Sequence, residues 1–235
     1  MSRIRDASRL RICTSELAIL FGLRPSKTSR ARPVLPVIFL AAALFSSVAL
    51  AQPGVSSTQV SDIPAGAYVS DQAHTSVTAK IGHLGFSSYT LRFDKVDAQF
   101  KFDSAAPEMS RVTVSIDPTS IDTGSKGLDR RLVGKDWFDA ESFPTATFVS
   151  DKIDLGDARH GTVSGLLTLH GVTRPVVLSA TFNGVGADMV PLVTRVGFSA
   201  NATIKRSDFG VDRFEGMVGD EVQLWIEIEL TKKLI

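Results

Sequence analysis

The sequence predicts an all-β fold of antiparallel strands that either stacks its apolar faces or rolls them into a tube. Three observations carry this. Val163, Gly165, Leu167 and Leu169 alternate with Ser164, Leu166 and Thr168, HGVTRP turns the chain, and Val176, Leu178, Ala180 and Phe182 resume the alternation, so the segment reads as a hairpin with one apolar face. Similar period-two runs recur along the chain with Gly, Pro, Asp or Ser between most of them. No self-similarity at a period of about 20 to 50 residues points to a solenoid or propeller.

Residues 1–51 read as a secretory signal peptide. Residues 1–32 hold Arg3, Arg5, Arg9, Arg11, Arg24, Lys27, Arg30 and Arg32 against Asp6 and Glu16, and the apolar run Val37–Phe45 follows. That run falls short of the ~20 residues a spanning helix needs, and Ala49-Leu50-Ala51 has the small residues of a cleavage site before Gln52. This predicts export to the periplasm. Eight of the 26 basic and two of the 25 acidic residues lie in this segment, so residues 52–235 carry 18 against 23 and are mildly acidic. With the charges dispersed, nothing marks a nucleic-acid surface. The single cysteine, Cys13, falls in the same segment, so the remainder has no disulfide to form and depends on its core.

Residues 52–66 (QPGVSSTQVSDIPAG) lack a period and read as a flexible lead-in to a barrel over 67–235. Alternating strands are predicted near 67–71, 75–82, 88–102, 110–117, 145–154, 161–169, 175–183, 195–205 and 221–232. Val112, Val114 and Ile116 flank Thr113 and Ser115, while Val222, Leu224, Ile226, Ile228 and Leu230 keep Gln223, Glu227 and Glu229 on the opposite face. Leu128–Phe138 breaks this rhythm. Leu128 and Leu132, four apart among charges, predict a short helical excursion capping one barrel end.

The inward face is predicted to comprise Val77, Ala79, Ile81, Phe93, Phe100 or its neighbours, Val112, Val114, Ile116, Phe148, Leu167, Phe182, Phe198, Ala200, Ala202, Leu224 and Ile226; the candidate ligand-binding set is this face without Phe100, Val112 and Ala202, with His83 added at the rim. Periodicity alone does not separate a hollow interior from a packed one.

The histidines, His74, His83, His160 and His170, are scattered, with no HxH or HExxH spacing, so no metal site is predicted. His74 or His83 fits a polar contact at the barrel mouth. Asp208-Phe209-Gly210 lacks the glycine-rich loop and the lysine and HRD motifs of a kinase and reads as a turn, with Arg206 or Arg213 pairing Asp208, Asp212 or Glu215. Ser164 sits in GTVSG rather than GxSxG, and the acid pairs Asp136/Asp139 and Asp208/Asp212 fall on loops. No catalytic residue is assigned, and no cofactor is expected.

HTSVTAKIGHLGFSSYTLRF (74–93), SIDTG (120–124), LVGKDWFDAESFPTATFVS (132–150), GLLTLHGVTRPV (165–176), RSDFGV (206–211) and VGDEVQL (218–224), in this order, resemble the YceI family of secreted proteins over about residues 66–233. The resemblance implies a lipocalin-like eight-stranded barrel that binds a polyisoprenoid or another long apolar lipid, in the periplasm and in stress- or quinone-related functions. It implies a binding protein, not an enzyme. Leu91 stands where many relatives have glycine and Arg131 where many have histidine; the bulk of Leu91 is expected to narrow the cavity. A transient membrane contact and a homodimer are both compatible with this picture. The alternatives are an enzyme acting on an isoprenoid or quinone and a dry-cored stress protein that binds other proteins.

Overall fold

The computed structural model describes residues 54–189 and 193–233, so the predicted signal peptide lies outside the described residues. In chain order the elements are β1 (Gly54–Ser57), β2 (Gly66–Ser70), β3 (Ser76–His83), β4 (Ser87–Phe93), β5 (Val96–Phe102), β6 (Arg111–Ile116), β7 (Ile121–Asp122), α1 (Lys126–Leu132), β8 (Ala146–Leu155), β9 (His160–Leu169), β10 (Val172–Ala187), β11 (Thr194–Lys205) and β12 (Val218–Lys232).

Antiparallel pairing runs β10-β9-β8-β6-β5-β2-β12, and β11 joins β12 back to β10, so eight strands close a barrel. A second branch leaves β12. Its Leu230–Lys232 end pairs with β2, whereas Val222–Glu227 pairs with β3, which pairs with β4. β4 then meets only the two-residue β7, at Arg92 and Phe93. The short helix is present, but it starts at Lys126 and stops at Leu132, and Gly134 to Phe143 continue as turns. Asp129 in its first turn accepts bonds from the Thr123 amide (2.9 Å) and hydroxyl (2.7 Å), fixing the helix start to the strand before it.

The expected strand 88–102 is two strands. The break at Asp94–Lys95 is held from a distance, by the Asp94 amide on the Ser120 carbonyl (3.1 Å) and the Lys95 amide on the Ser120 hydroxyl (3.0 Å). The expected HGVTRP turn shrinks to His170 and Gly171, both at positive φ, as a two-residue hairpin requires. Arg174 and Pro175 thus fall inside β10, where Pro175 is tolerated because β10 has no second partner before Ser179.

The stretch read as a lead-in carries structure from Gly54 onward. β1 pairs with the end of β10, the Val60 amide donates to the Ala158 carbonyl, and Ile63 is buried in one end of the barrel beside Tyr68 and Val196. Gly186 permits this, since a Cβ there would stand 1.8 Å from the Gly54 carbonyl oxygen. This end is the packed one, with Phe100, Phe102, Phe182, Val185 and Leu230 filling it. The Tyr68 hydroxyl donates to the Pro64 carbonyl at 2.6 Å, and burial pushes its pKa up to about 12. Outside, Arg195 bonds Asp71, Asp188 and Glu229, tying β11 and β12 to the adjoining turns; burial works against its charge, but the three carboxylates prevail and hold it protonated.

Candidate functional site: a two-lobed apolar hollow

Closing a sheet whose strands alternate places one apolar face of every strand on the inside. Here the inward side chains do not fill the space. Val114, Ile116, Leu167, Phe198, Leu224 and Ile226 point inward yet remain only half-buried, because they border cavities rather than neighbours. One lobe, of about 200 Å³, extends toward the packed end past Phe100, Phe148, Phe182 and Phe198. The other, of about 300 Å³, extends toward α1 and the 3-10 turn at Arg206–Phe209, past Leu91, Phe93, Leu132 and Phe138. Val77, Ile116, Leu167 and Leu224 line both lobes and so mark the narrow boundary, or neck, at which the two adjoin.

Of the residues expected to face inward, all but Ala202 line the hollow, Phe100 and Val112 in the first lobe; Ala202 packs against the Phe148, Val176 and Phe209 cluster instead. Val114, Phe148, Phe182, Phe198, Ala200 and Ile226 line the first lobe, Ala79, Ile81, His83 and Phe93 the second, and Val77, Ile116, Leu167 and Leu224 both. Gly165 interrupts the apolar row on β9 because the Phe148 ring lies across it; a Cβ there would meet Phe148 Cζ at 2.6 Å. Leu91 is in the wall of the second lobe and takes up space there.

The sequence reasoning missed the lining residues that come from loops and the helix, namely Leu128, Arg131, Trp137 and Phe214 in the second lobe. Irregular segments have no period to read, although the aromatic density around Trp137-Phe138 was a usable sign. Trp137 and Phe214 lie 6.1 Å apart between ring centres, and Phe93 meets Phe138 edge-on at 5.9 Å.

Polar groups in the walls are few. His83 sits exposed at the rim of the second lobe, its ring 6.4 Å from Tyr89. His74 lines neither lobe and instead bonds Asp71 at 2.9 Å. His160 borders the first lobe and turns its Nδ1 to Asp157, whose carboxylate is held down at about 2 by the Arg159 and His160 amides. The rim pairing expected for Arg206 is not formed. Arg206 is buried at 5% exposure and donates to four carbonyls, those of Gly219 (2.8 Å), Val211 (2.5 Å), Arg213 (2.9 Å) and Val218 (3.1 Å). The chain from 211 to 219 curls around it, which turns carbonyls rather than carboxylates toward the guanidinium. Arg213 approaches Asp136 at 3.9 Å instead. Gly210, with φ 71°, closes the turn as expected, while Asp220 rather than Asp208 takes the Ser207 amide (3.0 Å) and hydroxyl (2.9 Å). Among the described residues no three His, Cys, Asp or Glu side chains gather as metal ligands.

One hydroxyl stands alone. Thr75, 3% exposed in the wall of the first lobe, has no hydrogen-bond partner for Oγ1. An unpaired buried hydroxyl costs about 1–3 kcal/mol, so the isosteric Thr75→Val is expected to raise the thermal midpoint of the empty protein by roughly 2–4 °C per kcal/mol recovered. A scanning-calorimetry midpoint that falls would show that Oγ1 is satisfied in solution.

Comparisons with known proteins match this geometry. Residues 68–230 match the YceI-like domain family. A UPF0312 protein of Pseudomonas savastanoi is 37% identical over 168 residues, covering 71% of this chain and 86% of that protein, and one from Pseudomonas fluorescens is 38% identical over 177, covering 72% and 89%. The crystal structure of BcnA from Burkholderia cenocepacia superposes with a TM-score of 0.61 at 32% identity, covering 68% of this chain and 98% of that one. A polyisoprenoid binding domain from Saccharophagus degradans shares the fold, with a TM-score of 0.50 at 18% identity over 71% of this chain and 98% of that one. The ordered motifs, the eight-stranded closed barrel and these matches agree, and the chain belongs to the YceI-like family.

Proposed function

We propose that the protein is a periplasmic carrier or store for a polyisoprenoid or similar long-chain amphiphilic lipid, held in the hollow, and that it serves isoprenoid or quinone metabolism or a stress response. The observation that carries this is the pair of adjoining lobes, walled almost wholly by carbon and sharing Val77, Ile116, Leu167 and Leu224 at their boundary. Such a shape matches a long chain better than a compact ligand. Each buried CH₂ contributes about 0.8 kcal/mol, so a dozen carbons supply roughly 10 kcal/mol before ordering costs. The domain of that name from Saccharophagus degradans has the same fold, which supports the reading. The reading is of a binding protein, since neither Asp136 and Asp139 nor Asp208 and Asp212 reach the walls. A hollow also weighs against a dry-cored protein that works only through its outside.

Loading requires contact with a membrane. The rim beside the second lobe offers Leu84 at 50% exposure, Phe86 at 89%, Met217 and Phe214, with Leu84 and Met217 joined by a main-chain bond of 2.8 Å. Leu84 and Phe214 hold positive φ, a conformation that costs a non-glycine residue about 1 kcal/mol or more.

The test is to extract protein purified from the periplasm of its native host with organic solvent and identify what is released by mass spectrometry, alongside uptake of a fluorescent prenyl probe. A stoichiometric long-chain lipid and a mature chain beginning at Gln52 are expected. Absence of both lipid and probe uptake would overturn the proposal.

A further inference from the structure

We propose that the mouth of the second lobe seats an anionic, oxygen-rich head group, so that the ligand is a prenyl-type chain ending in a phosphate or carboxylate. This rests on the chain-binding reading and adds the polar end to it. Residues 52–235 carry five more acids than bases, yet neither lobe has an Asp or Glu in its wall. The ionisable groups that reach the hollow are Arg159, His160, Arg206, His83, Tyr89 and Arg131. An acidic protein has therefore kept every negative side chain away from this one surface.

The first three of these groups are engaged elsewhere. Arg159 donates Nε to the Phe182 carbonyl at 3.2 Å, His160 turns to Asp157, and Arg206 is enclosed by its four carbonyls. The others are not. Among the described residues, Arg131, Tyr89, His83 and the Trp137 indole, all in the wall of the second lobe, have no side-chain hydrogen-bond partner and no ion pair. A guanidinium and an indole N–H only donate, and a phenol and an imidazole each can donate. Four donors with no facing acceptor call for a head group rich in acceptors, and the fixed charge of Arg131 selects a negative one. Tyr89 and a neutral His83 can also accept, but the fixed charge of Arg131 repels a cationic head, and no carboxylate in the wall offsets it.

The placement is also affordable in desolvation. Arg131 and His83 are exposed, so a charged head seated between them stays in touch with water while its tail enters the dry neck. A neutral head directed inward to the lone Thr75 hydroxyl is the competing arrangement.

Titrations of the full chain with a prenyl monophosphate and with the prenyl alcohol of equal length distinguish the two. The phosphate is expected to bind about tenfold tighter or more, with the preference shrinking as salt rises. Arg131→Gln is expected to erase the preference by weakening phosphate binding about tenfold or more, with an unchanged circular-dichroism spectrum certifying the fold, and Arg131→Lys to keep part of the preference. Equal binding of phosphate and alcohol by the unaltered protein, or a preference that survives Arg131→Gln, would overturn the assignment. Binding of neither ligand would sink the chain-binding reading itself, and the head-group seat with it.

Discussion

Leu167→Trp is expected to abolish uptake of long prenyl chains while leaving the barrel folded. Leu167 lies on β9 at the neck, where Val77, Ile116 and Leu224 also border both lobes. It is half-buried against open space, so an indole there occupies hollow instead of overpacking a filled core. A chain confined to one lobe leaves the rest of its length in water. At about 0.8 kcal/mol per CH₂, excluding even six carbons removes roughly 5 kcal/mol, more than a thousandfold in affinity. Fluorescence titration with chains of graded length checks this, because short chains that fit one lobe should bind almost as before. Undiminished binding of the longest chain would show that the neck is not on its path.

Arg206→Ala is expected to be among the most destabilising single changes, by about 3–5 kcal/mol. The guanidinium holds the carbonyls of Val211, Arg213, Val218 and Gly219, and its removal leaves these acceptors facing one another in a buried site. The segment it organises carries Phe214 and Val218, both in the wall of the second lobe, so ligand uptake should fall together with stability. Arg206→Lys is expected to recover only part of either, because an ammonium cannot span donors set in a fork. Urea denaturation followed by circular dichroism measures the loss, and a change below about 1 kcal/mol would show that water replaces the guanidinium without cost.

The period-two pattern made the barrel and its inner face readable, because a strand offers its side chains to only two sides. For that reason Val77, Ala79, Ile81 and all the others but Ala202 reach the hollow. Whether that face encloses space was not readable, since it depends on how eight strands close and no single strand encodes it. The break at Asp94–Lys95 escaped notice because Ser120, more than twenty residues away, supplies its bonds. β1 escaped for a similar reason: its seat against β10 exists only because Gly186 has no side chain. Arg206 misled because nearness in sequence suggested acids, whereas the curl of the chain presented carbonyls. Arg131, Tyr89 and Trp137, the groups that give the second lobe its polarity, combine a helix, a strand and a loop in a way no local pattern announces.

The branching of β12 has a mechanical consequence. Near β2 the strands run in the closed round, and Ile63 packs into the core there beside Tyr68 and Val196. At the other end Ser87–Leu91 of β4 is fastened on one side only, to β3, and has no second strand among the described residues. Ser87–Leu91 thus joins Val172–Leu178 of β10 as wall held along one edge only, and because it carries Leu91 and Tyr89 of the second lobe, that stretch is expected to yield early when the vessel is pulled open.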